Sequence, residues 1–102
     1  MLATFLFGSG GGAGSSSTDK ENTVVIKNFA FSPSPLRVKA GTTISIINSD
    51  DTTHTFTADD RAFDTGELKG HAQAMITRLR PGTHAYHCQI HDYMTGVINV
   101  GP

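Results

Sequence analysis

Apolar and polar positions alternate with period two along most of this chain, in short runs separated by turn residues. Successive side chains of a strand point to opposite faces, so the alternation predicts half-buried strands. Thr23–Lys27 (TVVIK) is a β-branched run, and Leu36–Lys39 (LRVK) alternates apolar with basic residues. Thr42–Asn48 (TTISIIN) opens after Gly41 and closes into Asn48-Ser49-Asp50-Asp51. His54–Thr57, Ala72–Thr77 (AQAMIT), Thr83–Cys88 (THAYHC, after the Pro81-Gly82 turn) and Val97–Val100 complete the set. Ser32-Pro33-Ser34-Pro35 reads as a turn, since proline gives no donor to a ladder. Asp59–Gly70 is a long loop with room for one helical turn. Short strands punctuated by turns predict an all-β sandwich or barrel.

Residues 1–18 break this pattern: a short apolar stretch, Leu2–Phe7, runs into a Gly/Ser segment that behaves as a flexible coil. The stretch is shorter than a secretory h-region and lacks a basic flank, and no cysteine follows it for a lipid anchor. We read residues 1–20 as an atypical export signal with a tether and residues 21–102 as the folded domain. That assigns the protein outside the cytoplasm, in a periplasm or its equivalent.

Charge narrows the partners. Eight Lys and Arg against nine Asp and Glu give no electrostatic case for nucleic acid or an anionic membrane. No apolar run approaches the roughly eighteen residues that cross a bilayer. The single cysteine forbids an intramolecular disulfide, so its thiol is buried, metal-bound or a liability.

That cysteine sits in Tyr86-His87-Cys88-Gln89-Ile90-His91-Asp92-Tyr93-Met94-Thr95-Gly96. Cys88, His91 and Met94 are spaced by three, and His54 stands 34 positions before the cysteine. Two His and one Cys in a plane with a weak axial Met is the ligand set of a blue-copper electron-transfer site. Soft sulfur ligands suit Cu(I), and imidazole suits both oxidation states. Singly, a buried Cys or Met is more often a core residue, and zinc also takes His and Cys but without a thioether. All four donors in a usable order favour copper, one per chain.

The chain also resembles the cupredoxins, most closely the amicyanin/plastocyanin-like group, over residues 22–100. The resemblance is carried by Phe29-Ala30-Phe31-Ser32-Pro33, Val38-Lys39-Ala40-Gly41-Thr42, Asn48 with His54, Phe63-Asp64-Thr65-Gly66, Pro81-Gly82-Thr83 and the Tyr86–Gly96 loop. The tight Cys-x-x-His-x-x-Met spacing is similar to that of amicyanins. Membership implies a Greek-key β-sandwich with type 1 copper near one end, held by His54, Cys88, His91 and Met94. It also implies an electron port around His91 where redox partner proteins dock.

Two departures from the family pattern bear on function. Asp92 follows His91 where many amicyanin-like sequences have proline, and a carboxylate there would favour the oxidised copper. His87 precedes Cys88, as the histidine of a second copper does in nitrite reductases and multicopper oxidases. That motivates an enzyme domain as the rival to an electron carrier, and a periplasmic copper carrier is a third reading. Against the enzyme, the chain has no His-x-His pair to supply the remaining ligands. We expect a monomeric, non-enzymatic carrier. Alternation turns Tyr86 and His84 to the side of Cys88 and turns His87 away, although the Pro81-Gly82 turn argues for a solvated His84. His71 is expected at the surface. Thr55, Asn48 and Asp50 are the candidates for fastening the ligand loop to the His54 segment.

Overall fold

The computed structural model describes residues 22–102. The leader assigned to residues 1–20 lies outside the described residues. Eight strands form two four-stranded sheets, and no helix occurs among the described residues. The first sheet contains β1 (Thr23–Lys27), β2 (Ala30–Ser32), β4 (Ile44–Asn48) and β6 (Gln73–Ile76) in the order β2-β1-β4-β6. The second contains β3 (Leu36–Lys39), β5 (Thr57–Ala58), β7 (Gly82–His87) and β8 (Thr95–Gly101) in the order β3-β8-β7-β5. The chain passes repeatedly from one sheet to the other, which makes the parallel pairs β1/β4 and β3/β8 possible. This is the all-β sandwich that the alternation and the resemblance led us to expect.

Burial follows the period-two pattern. Val24 and Ile26 of β1 and Ile44 and Ile46 of β4 point inward and are fully buried, while their neighbours in these strands are half-buried or, at Lys27, exposed. Ile98 and Val100 answer them from β8. Each such side chain contributes about 1.5–3 kcal/mol relative to an exposed one. Between the sheets lies an aromatic cluster in which Tyr86 packs against Phe56 at 4.1 Å and Phe31 at 4.9 Å between ring centroids. Phe63 stacks on Phe56 at 5.4 Å.

Three expectations are corrected. Ser32, read as the first residue of a turn, instead ends a strand, Ala30–Ser32, paired antiparallel with β1 through a two-residue turn at Asn28-Phe29. His54–Thr57 is not one: His54 forms an isolated bridge with Leu68, and only Thr57 enters β5. The segment Asp59–Gly70 holds no helical turn; bridges Thr57↔Asp64 and His54↔Leu68 fold it back on the preceding residues.

Parallel pairing of β1 with β4 brings Lys27 and Asn48 to one end of the first sheet. The turn after β1, the segment 49–54 after β4 and the connection 88–94 between β7 and β8 come together there, and this end carries the site.

Candidate metal centre

Cys88 is the first residue after β7, at the start of a loop that closes on itself. Its N–H donates to the Met94 carbonyl across 3.1 Å, and the Met94 N–H donates to the His91 carbonyl across 2.9 Å. Two short backbone bonds therefore fix Cys88, His91 and Met94 on one tight loop. His54 arrives from a segment 34 positions before Cys88. Its backbone exchanges two hydrogen bonds with Leu68, at 3.0 and 2.7 Å, which hold it where no regular strand would.

The donor atoms converge. Cys88 Sγ lies 3.8 Å from His54 Nδ1 and 3.8 Å from His91 Nδ1. The three donor atoms all lie within 4.8 Å of one another. A metal with bonds of about 2.0 Å to nitrogen and about 2.3 Å to sulfur, arranged in a trigonal plane, would set nitrogen and sulfur roughly 3.7 Å apart. The observed spacing fits that arrangement. His54 and Cys88 are fully buried, Met94 is buried, and only His91 is partly open to solvent.

Two of the donors, His54 and Cys88, are oriented by a second hydrogen bond. His54 Nε2 donates to Asp50 Oδ2 across 2.9 Å, which leaves the Nδ1 lone pair for the metal. Asp50 also accepts the N–H groups of Asn28 at 2.7 Å and Phe29 at 3.0 Å. Burial works to raise its carboxyl pKa, but hydrogen bonds from Phe29, His54 and Asn28 outweigh burial and hold it below the ordinary carboxylate value. The buried Asn48 accepts the Asp50 N–H and donates to the carbonyls of Thr52 and Leu68. The Cys88 sulfur accepts the Thr55 N–H at 3.3 Å. Thr55 Oγ1 in turn accepts the Gln89 N–H at 2.8 Å, and a hydroxyl chain continues through Thr57 to Asp64. Of the three candidates for fastening the ligand loop to the His54 segment, Thr55 bonds that loop directly, whereas Asn48 braces the His54 segment against Leu68 and Asp50 ties it to the Asn28-Phe29 turn.

The chain matches the family model for the cupredoxin-like domain over residues 1–100. It belongs to that family. No curated protein sequence matches it. The cupredoxin fold recurs in a purple cupredoxin from Nitrosopumilus maritimus, at 22% identity and a TM-score of 0.73, covering 78% of this chain and 98% of that one. A mutant of amicyanin in its reduced Cu(I) form at pH 4 is 26% identical, with a TM-score of 0.69 over 76% of this chain and 79% of the other. The Cu-containing nitrite reductase of Thermus scotoductus SA-01 is 30% identical with a TM-score of 0.72, but the 78% of this cupredoxin that aligns covers only 22% of that chain. Within the family fold, His54, Cys88, His91 and Met94 are positioned as a type 1 copper site.

The remaining histidines divide. His87 turns away from the sulfur, and its Nδ1 lies 2.6 Å from Asp59 Oδ1. His71 is exposed and lies 2.7 Å from Asp51. His84 is buried, against the solvated reading; its Nε2 donates to the Arg80 carbonyl at 2.8 Å, while its Nδ1 has no hydrogen-bond partner among the described residues. Phe29 was missed as a site residue. The signal was Asn28-Phe29 between two β-prone runs, the place of a two-residue hairpin turn.

Proposed function

We propose that this protein carries single electrons between redox partner proteins, with one copper held by His54, Cys88, His91 and Met94, and that it is not an enzyme. The observation carrying this reading is the pair of equal 3.8 Å separations between Cys88 Sγ and two imidazole Nδ1 atoms. Copper supplies the one-electron couple; the chain supplies a fixed cage. His54 and Cys88 are locked by buried hydrogen bonds, so the ligands move little as the charge changes, and little rearrangement favours fast transfer. The Thr55 N–H directed at the sulfur withdraws charge from the thiolate and favours the reduced state. Met94 acts as the axial ligand and tunes the potential. His91, the one ligand with a partly open side chain, is the electron port, and Ile90 and Tyr93 beside it are exposed apolar side chains suited to docking. A monomer working outside the cytoplasm completes the reading, and the apolar-then-Gly/Ser pattern of residues 1–20 supports that location. No helix among the described residues is long and apolar enough to cross a membrane.

Loading with Cu(II) is expected to give an intense visible thiolate-to-copper absorption that bleaches on reduction. A colourless protein that keeps zinc in preference to copper would reject the proposal.

The 30% identity to a nitrite reductase and the His87-Cys88 pair favour a second reading, an enzyme domain with another copper at His87. The Asp59 contact takes up His87 Nδ1 and weighs against it without removing it. Copper stoichiometry and solution mass separate the two readings.

A further inference from the structure

The turn joining β1 to β2 contains Asn28 and Phe29, with φ of 53° and 59°. Two central residues with positive φ make a type I′ hairpin turn, which prefers Asn followed by Gly. Asn28 fits that preference. Phe29 does not: a bulky residue in the left-handed region is a genuine outlier that persists only where its surroundings impose it. The imposing group is Asp50, whose carboxylate takes the N–H of both turn residues. The same carboxylate holds His54 Nε2.

The strained backbone has a clear result at the site. The Phe29 ring meets His54 nearly edge-on at 5.0 Å between centroids and 87° between planes. It meets His91 in the same manner, at 5.0 Å and 80°. The imidazoles themselves are 5.1 Å apart at 67°. These are the separations and angles that aromatic pairs favour. One ring thus touches both imidazoles, one from the segment after β4 and one from the ligand loop after β7. It is 37% exposed, so its outer side faces solvent and its inner side roofs the two ligands.

We infer that Phe29 is a positioning residue of the copper centre: a wedge that sets the mutual angle of His54 and His91 and keeps water from them. Asp50 aligns it with the same carboxylate that orients His54. The inference rests on the copper reading above. It explains why the turn carries a phenylalanine where glycine would relieve the backbone. The turn conformation and the metal geometry are thereby coupled through one carboxylate, and the β1–β2 turn belongs to the site although it contributes no ligand.

The test exploits this opposition. In full-length protein, Phe29→Gly gives the turn its preferred residue, so the unfolding temperature of the metal-free form should hold or rise. Its copper centre should deteriorate at the same time: the reduction potential should fall as water reaches the imidazoles and stabilises the more charged Cu(II). The visible band should shift, and copper loss to a chelator should quicken about fivefold or more, the equivalent of losing one favourable ring contact. Phe29→Tyr should restore potential, band and release rate towards wild type, with Phe29→Leu intermediate. Phe29→Gly and Phe29→Leu variants that both keep the wild-type potential, band and release rate would overturn the role of Phe29 while leaving the copper reading intact. A potential that falls only in proportion to lost metal-free stability would also overturn it, since that is the mark of a merely structural residue. A wild type without a visible band removes the copper reading, and this inference with it.

Discussion

His54 Nε2 and Asp50 Oδ2 lie 2.9 Å apart at the buried edge of the site, so a carboxylate four residues earlier in the chain decides which nitrogen of the histidine faces the metal. Outer partners of this kind govern affinity as strongly as some ligands do. Asp50→Ala is therefore expected to weaken copper affinity roughly 10–100-fold, because His54 loses its tautomer and the Asn28-Phe29 turn loses its acceptor. Chelator competition measures it, and wild-type affinity in the variant would refute the role.

The axial and planar sulfurs should separate cleanly by mutation. Met94→Leu is expected to keep the visible band and raise the potential, since the axial bond is weak and stabilises Cu(II) slightly. Cys88→Ser should abolish the band. Loss of copper from Met94→Leu alone would reverse the assigned roles.

His87→Ala tests carrier against enzyme. The His87–Asp59 contact is partly exposed, so its loss should cost less than about 1 kcal/mol. The band, the potential and one copper per chain should survive in a monomer. A trimer with two coppers per chain that loses one on mutation would establish the enzyme reading.

Gly96 faces Tyr86 across the β7/β8 ladder, and a Cβ added there would collide with the Tyr86 hydroxyl. Tyr86 is buried and packed, and burial pushes its phenol up to about 12. It has little room to retreat. Gly96→Ala should destabilise the fold by about 1–3 kcal/mol, read from chemical denaturation. Unchanged stability would show that the sandwich opens at this point more easily than its packing implies.

Much of the fold was legible because the strands bury one face each. Thr23–Lys27 was readable as a β-branched run and Leu36–Lys39 by its alternation, and both form with the predicted bounds. Ala30–Ser32 was not readable, since three residues ahead of two prolines hold no period; its pairing depends on the Asn28-Phe29 turn and hence on Asp50, far along the chain. His54–Thr57 alternates but is shaped by the Asn48 side chain and by Leu68 rather than by a ladder. The ligand types were readable because soft donors are few in this chain. Their angles were not, because those depend on Phe29, Asp50 and Thr55, contacts that no local pattern encodes. His87–Asp59 lay hidden for the same reason, being 28 residues apart.

The convergence of His54 with Cys88 has a mechanical meaning as well. The chain has one cysteine and forms no covalent crosslink of its own, yet a metal joining these residues staples a loop whose ends are 34 positions apart. If the clip behaved as a disulfide does in the chain-entropy model, tying that loop would withhold from the unfolded chain freedom equivalent to ~4 kcal/mol. The copper-loaded form should therefore melt well above the metal-free form, and copper loss would be the event that releases the unfolded chain to its full range.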